Sequence, residues 1–166
     1  MSLAYLAEHA ENALFALELA EREAAHLAYT HKTLFALQID LSWVKSLATY
    51  EDRAEKIDAF VSRFGRLQDH IGEKLYPRFA RLMGEQPKSL LDVLAYAERM
   101  QWLDSAEAFV GSRKLRNQLV HEYMAAPELF LEALQTADTA TLMLLEVVAR
   151  MRDQSQQLGL NRHAAD

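Results

Sequence analysis

Eight consecutive residues bring together the side chains of this chain that are best suited to chemistry. The segment reads RNQLVHEY and covers residues 116–123. It holds a permanent cation at Arg116, an amide at Asn117, a group that titrates near neutral pH at His121 and a phenol at Tyr123. Cleavage of a phosphodiester needs such a set, because a proton must be moved and charge on a phosphate must be stabilised.

Each of these side chains has a natural role in that reaction. His121 can take a proton from a ribose 2′-hydroxyl or give one to the leaving oxygen. Arg116 can hold a phosphate through two hydrogen bonds and stabilise the charge that builds on it. Tyr123 can donate to a phosphate oxygen, and Asn117 can orient the histidine or a base. We expect this chemistry to require no metal and no cofactor.

The spacing of the four residues on a helix only partly supports a shared site. Asn117 and His121 are four residues apart and share a face, and Arg116 and Tyr123 are seven apart and share another. Arg116 and His121 are five residues apart, which places them about 140° apart around the helix. They meet only if the arginine swings, the helix distorts near its end, or a second copy of the chain contributes. On residue types alone, an interhelical hydrogen bond and a salt bridge are the commoner roles, and this structural alternative stays open.

A second polar group lies earlier in the chain, where Asp69 and Glu73 are four residues apart. These carboxylates could orient a histidine or arginine from another helix, although a solvated, salt-bridged flank is the commoner role. No second Glu-x-x-His pair completes a two-metal bundle site, so we predict no metal. His31 continues an apolar stripe, and we expect it to be partly buried with a local partner.

Charge and composition narrow the class of protein. The net charge is −6, which argues against a surface that coats nucleic acid non-specifically. A local phosphate site remains possible, because Arg113, Lys114 and Arg116 crowd ahead of His121, and we expect Arg113 and Lys114 to bind substrate. The chain has no Cys, no secretory signal and no apolar run of membrane length, so we expect a cytoplasmic protein with no membrane partner.

The rest of the sequence predicts an all-α fold that positions these residues. Five Gly and three Pro in 166 residues leave room for long helices, and apolar residues recur at alternating spacings of three and four. We predict one domain over 1–157, an antiparallel helical bundle of about five helices, and a disordered tail over 158–166. Pro77 should kink the second long helix. The main helices are expected at about 3–37, 50–83, 89–102, 104–123 and 127–157, with a short helix near 41–47.

In this setting the motif resembles the Arg-x-x-x-x-His-x-Tyr signature of HEPN-domain proteins. The closer resemblance is to HepT-like toxins encoded beside MntA-type minimal nucleotidyltransferases. The segments RFGRLQD and KLYP, at 63–69 and 74–77, are similar to the second-helix pattern of that family. The later helices of the family are similar to three further segments, which are LDVL at 91–94, AE at 97–98 and the run at 115–123. The resemblance covers roughly residues 50–150.

The resemblance implies a HEPN-like homodimer whose two motifs face each other across a cleft and cleave RNA without a metal. It assigns catalysis to Arg116 and His121, with Asn117, Tyr123 and Asp69 in support. It also implies a type VII-like toxin–antitoxin system, in which a partner nucleotidyltransferase adenylylates Tyr123 and so neutralises the toxin. Two alternatives stay open: a non-catalytic nucleotide- or substrate-binding subunit of a minimal nucleotidyltransferase, and a plain helical scaffold.

Overall fold

The computed structural model describes residues 4–123 and 125–160, and these are helical almost throughout. The predicted all-α bundle is confirmed, and the described residues include no strand. The α-helices are α1 (Ala10–Phe35), α2 (Leu41–Lys45), α3 (Glu51–His70), α4 (Tyr76–Leu82), α5 (Leu90–Arg99), α6 (Ala106–Glu122) and α7 (Pro127–Gln157). None of the described helices is long and apolar enough to cross a membrane.

The second long helix supplies the centre of the core, as its apolar stripe predicts. Its buried side chains recur at helical spacing, so a single face of α3 and the helix that continues it is removed from water. α1 packs antiparallel to α3, because Thr30 near the end of α1 meets Arg63, and Ala16 near its start meets His70. The fully buried members of the stripe are Ile57, Phe60, Phe64, Leu67, Ile71, Leu75, Phe79 and Leu82.

Three of the predicted helix starts are capped by side chains. Asp40 accepts from the Trp43 backbone N–H at 2.8 Å, and Ser89 and Ser105 cap α5 and α6 in the same way. Residues 49–52, TYED, resemble a capping box in sequence, but the box does not form. Tyr50 occupies the N-cap of α3, and the Thr49 hydroxyl donates instead to the Ser46 carbonyl, which ends the preceding 3₁₀ turn.

Pro77 is accommodated by a π-helical segment, Ile71–Leu75, between α3 and α4. A proline has no N–H to donate and its ring collides with the carbonyl four residues earlier in an α-helix. In the wider π turn, the Tyr76 N–H donates to the Ile71 carbonyl five residues back. The effect of Pro77 is therefore a local widening of the helix over the five residues of that segment.

The prediction of a disordered tail over 158–166 is wrong for residues 158–160. Leu158 and Leu160 are buried against the core, with 5% and 9% of their surface exposed. Gly159 has φ +72°, so the chain turns back after α7 and returns both leucines to the bundle. The remainder of the expected tail, residues 161–166, lies outside the described residues.

Candidate functional site

The motif lies on α6, which packs antiparallel to α3. Gln68 and Ser112 fix the register of this pair of helices. The Gln68 amide donates to the Ser112 hydroxyl at 2.7 Å, and both side chains are buried. Because the bond is shielded from water and Ser112 donates onward to the Phe109 carbonyl, it specifies one rotation of α6 against α3. That rotation decides which motif side chains meet α3 and which face solvent.

Arg116 lies at the edge of α6 that meets α3. Its guanidinium donates to Asp69 Oδ2 at 2.8 Å, and both side chains remain about one-third exposed, at 38% and 32%. Gly65 lies one turn before Asp69, and a Cβ at that position would stand 2.5 Å from Arg116 Nε. The arginine therefore crosses α3 where the helix has no side chain and is held there by a carboxylate. Asp69 thus meets an arginine from another helix, which the sequence allowed beside the commoner role of a solvated, salt-bridged flank.

His121 and Asn117 lie on the solvent-facing side of α6, and both are exposed. Neither side chain has a hydrogen bond or ion pair within the described part of the chain. Arg113 and Lys114 are exposed on the same side, so the face carries amide, imidazole and two cations. The helix stays regular through Glu122, so no distortion brings Arg116 towards His121 within one chain.

Tyr123 lies where α6 ends and its backbone becomes extended, with φ −58° and ψ 123°. Its ring packs on Phe130 of α7, with the ring centroids 5.4 Å apart. Burial, reinforced by the carboxylates of Asp58 and Glu51, raises the pKa of the Tyr123 phenol. The phenol therefore faces the acidic start of α3, while Arg116 meets the same helix about two turns further along.

Comparisons of this chain with protein-family models, with curated proteins and with solved structures give no match. The HEPN resemblance therefore stays a prediction that rests on the quoted residues.

Of the other polar residues, some hold helices together through hydrogen bonds and others have no bonding partner among the described residues. His31 bonds to Asp138 Oδ1 at 2.7 Å, which confirms the partly buried histidine with a local partner. His70 bonds to the Ala16 carbonyl at 2.7 Å. Glu73 is exposed and pairs with no cation in the described residues. Those residues also hold no group of three or more His, Cys, Asp or Glu side chains that could bind a metal ion.

Sequence reasoning missed the part played by Gly65. The signal was present, because a glycine inside a helix lowers helix stability and usually marks a close approach. It precedes Asp69 by one helical turn, so an approaching side chain would pass the glycine and reach the carboxylate.

Proposed function

We propose that this chain is a metal-independent endoribonuclease in which His121 moves protons and Arg116 stabilises the phosphate. The observation that carries the proposal is that His121 is exposed and unpaired within the described residues and lies on the face of α6 that also carries Arg113 and Lys114. A histidine with a structural role uses its ring in an interhelical bond, as His31 and His70 do here. An imidazole that must exchange protons with a substrate needs a free ring nitrogen and an open approach.

The reaction would be an internal transfer at phosphorus. His121 takes the proton of a ribose 2′-hydroxyl, and that oxygen forms a bond to the adjacent phosphorus. The bond from phosphorus to the 5′-oxygen breaks, and this oxygen leaves with a proton from an imidazolium. The products are a cyclic phosphate and a free 5′-hydroxyl, so no water or metal enters this step.

Arg116 is suited to its role because it is already oriented. Asp69 binds one guanidinium nitrogen, Nη1, at 2.8 Å, and the guanidinium makes no other hydrogen bond within the described residues. A guanidinium that is fixed before the substrate arrives loses less side-chain entropy on binding it. Asp69 is therefore a positioning residue, and Asn117 supports the site from the face of His121.

A complete site would require two chains. Arg116 and His121 lie on different sides of a regular helix, and within one chain the arginine is engaged on α3. In a symmetric dimer through the exposed face of α6, the arginine of one copy can approach the histidine of the other. We infer a homodimer for this reason.

The proposed biological role is that of a toxin whose partner is an MntA-like nucleotidyltransferase antitoxin. Transfer of AMP to the Tyr123 oxygen would form a phosphodiester, displace pyrophosphate and leave a bulky anion beside the motif. That group would repel RNA phosphates. A tyrosine phenol is protonated at neutral pH, and the raised pKa of Tyr123 makes its proton harder to remove, so the transferase must supply the base.

The test compares wild type with His121→Ala and with a matched control, His26→Ala, which removes an exposed histidine from α1. Each protein is purified, shown by intact mass to carry no AMP, and incubated with RNA in the presence of EDTA. We expect loss of His121 to slow cleavage by about 10²- to 10⁴-fold and His26→Ala to cleave like wild type. Absence of cleavage by the unmodified wild type would refute the proposal.

One observation favours a second candidate, a non-catalytic subunit that binds nucleotide or substrate for a nucleotidyltransferase. Arg116 is already paired with Asp69 and stands apart from His121 within one chain. Such a subunit would form a stable complex with the transferase and would never cleave RNA. His121-dependent cleavage by the purified chain removes this candidate.

A further inference from the structure

A cleft with an excess of positive charge lies between the π-helical segment, the turn before α5 and the middle of α6. It has a volume of about 400 Å³ and is open to solvent. Arg81, Lys88 and Arg113 line it, and Glu73 is the one carboxylate that the described residues contribute. With three cations and one anion, the cleft is locally positive, although the net charge of the chain is −6.

The cations of the cleft are not used by the fold. Most arginines in the described residues bond to a carboxylate, a hydroxyl or a carbonyl or lie over an aromatic ring, whereas Arg81 and Arg113 do none of these. The Lys88 side chain is likewise unpaired there, although its backbone N–H donates to Asp92. Like charges gathered without counter-ions raise the free energy of the folded state, so an external anion would relieve the repulsion.

The local backbone explains how these side chains come together. Gly72 belongs to the π-helical segment, and a Cβ there would stand 3.1 Å from the Leu90 methyl carbon. The missing side chain lets the start of α5 approach the widened helix, and Lys88, just before α5, lines the same cleft as Arg81. Arg113 then closes the third side from α6. A π segment of this kind is frequently found at functional sites.

The lining also indicates what the ligand offers. Within the described part of the chain, no aromatic side chain lines the cleft, so these residues offer no platform on which a base could stack. Arginine and lysine bind phosphate oxygens through charge-assisted hydrogen bonds. We propose that this basic cleft binds an anion that carries two or more phosphate groups. The proposal does not rest on ribonuclease activity.

The phosphate groups could belong to a free polyphosphate or to the backbone of an RNA strand. Two probes distinguish these ligands, namely tripolyphosphate and a single-stranded RNA dodecamer. Binding is measured by calorimetry for the first and by fluorescence anisotropy for the second. RNA binding is measured in His121→Ala protein, so that cleavage cannot interfere. The variant Arg81→Gln/Lys88→Gln removes two of the cations, and Arg22→Gln/Lys45→Gln removes two exposed cations outside the cleft as the matched control.

We expect the cleft variant to weaken binding by about tenfold and the control by less than about twofold. Weaker binding of tripolyphosphate identifies a free polyphosphate ligand, and weaker binding of RNA alone identifies a strand backbone. Glu73→Gln removes the one carboxylate and should tighten binding in the same assay. The proposal is overturned if wild type binds neither probe, or if the cleft variant binds both as tightly as its control.

Discussion

The Arg116 side chain crosses α3 at Gly65, where the helix carries no Cβ. An alanine at this position would place its Cβ 2.5 Å from Arg116 Nε, and the arginine would have to move. The atoms that give way belong to the far end of a flexible side chain, so the backbone is spared. Position 65 therefore controls the orientation of Arg116 separately from the stability of the fold.

We predict that Gly65→Ala lowers RNA cleavage by about tenfold or more, because a displaced guanidinium no longer meets the phosphate correctly. Its Tm should stay level or rise, since alanine is favoured over glycine inside a helix by roughly 0.5–1 kcal/mol. Gly111→Ala is the matched control, because a Cβ there meets nothing within 4 Å. Equal cleavage by the two variants, measured beside their melting curves, would show that Arg116 orientation does not matter.

Sequence alone gives part of this site. It predicts that Asp69 can meet an arginine from another helix, since the residue lies on the flank of a long amphipathic helix. It does not predict that the arginine is Arg116 and not Arg113, because the choice depends on how α6 is rotated against α3. The buried bond between Gln68 and Ser112 sets that rotation, and no local pattern reveals the pairing of two residues 44 positions apart.

At the scale of the elements, the Gln68–Ser112 bond fixes how α6 packs on α3. Removing one partner leaves a buried amide without its acceptor, which is costly, whereas removing both polar groups is not. We predict that Ser112→Ala lowers the free energy of unfolding by about 1–3 kcal/mol. The double variant Gln68→Met/Ser112→Ala should recover most of that loss.

Urea denaturation of the two variants and wild type measures these changes. The double variant also tests the link between packing and function, because it can restore stability without restoring the rotation of α6. Its RNA cleavage should therefore stay below that of wild type. If Ser112→Ala is as stable as wild type, the bond does not hold the two helices in register.

Helices were accessible from the sequence because their apolar spacing and caps are local signals. Ser89 and Ser105 begin α5 and α6 as expected, since each side chain bonds to a backbone N–H three residues later. The response of the helix to Pro77 was harder to predict from the sequence. A proline predicts a disturbed helix, but its position alone does not predict that the disturbance takes the form of the π-helical segment Ile71–Leu75. Leu158 and Leu160 show the same limit, because a turn at Gly159 returns them to the core.

At the scale of the whole molecule, three tyrosines make stability depend on alkaline pH. Burial raises the pKa of Tyr76, whose hydroxyl donates to the Trp102 carbonyl at 3.1 Å. Burial also raises the pKa values of Tyr96 and Tyr123. In the unfolded chain a tyrosine titrates near pH 10, so above that pH the folded state holds more protons than the unfolded state. The free energy of unfolding must then fall as pH rises.

We predict that the Tm of wild type falls more steeply above about pH 10 than the Tm of Tyr76→Phe, because the variant has no phenol at position 76 to ionise. Near neutral pH the variant should be less stable by about 1 kcal/mol, because the Trp102 carbonyl loses its donor. Tyr123→Phe should flatten the alkaline fall by a smaller amount, since this ring is less buried. Melting curves from pH 7 to 11 that superimpose for all three proteins would contradict the assignment.

The exposed face of α6 is the surface through which we propose that two chains pair. Val120 lies on it, 56% exposed, beside the polar residues of the motif. We predict that Val120→Glu dissociates the dimer and lowers cleavage, because a charge is costly in an interface. Leu142→Glu is the matched control, since Leu142 is 57% exposed on α7. Light scattering after size exclusion measures the mass, and a monomeric wild type would contradict the pairing.

Mixing two inactive variants tests whether each site draws on both chains. In a symmetric dimer, one site would use Arg116 of the first chain and His121 of the second, and the other site the reverse. A heterodimer of Arg116→Ala with His121→Ala then has one site that lacks both groups and one site that is intact. After random exchange half of the dimers are mixed, so cleavage should return to about a quarter of the wild-type rate. Sites built within single chains would stay inactive on mixing, since every site would still lack one group.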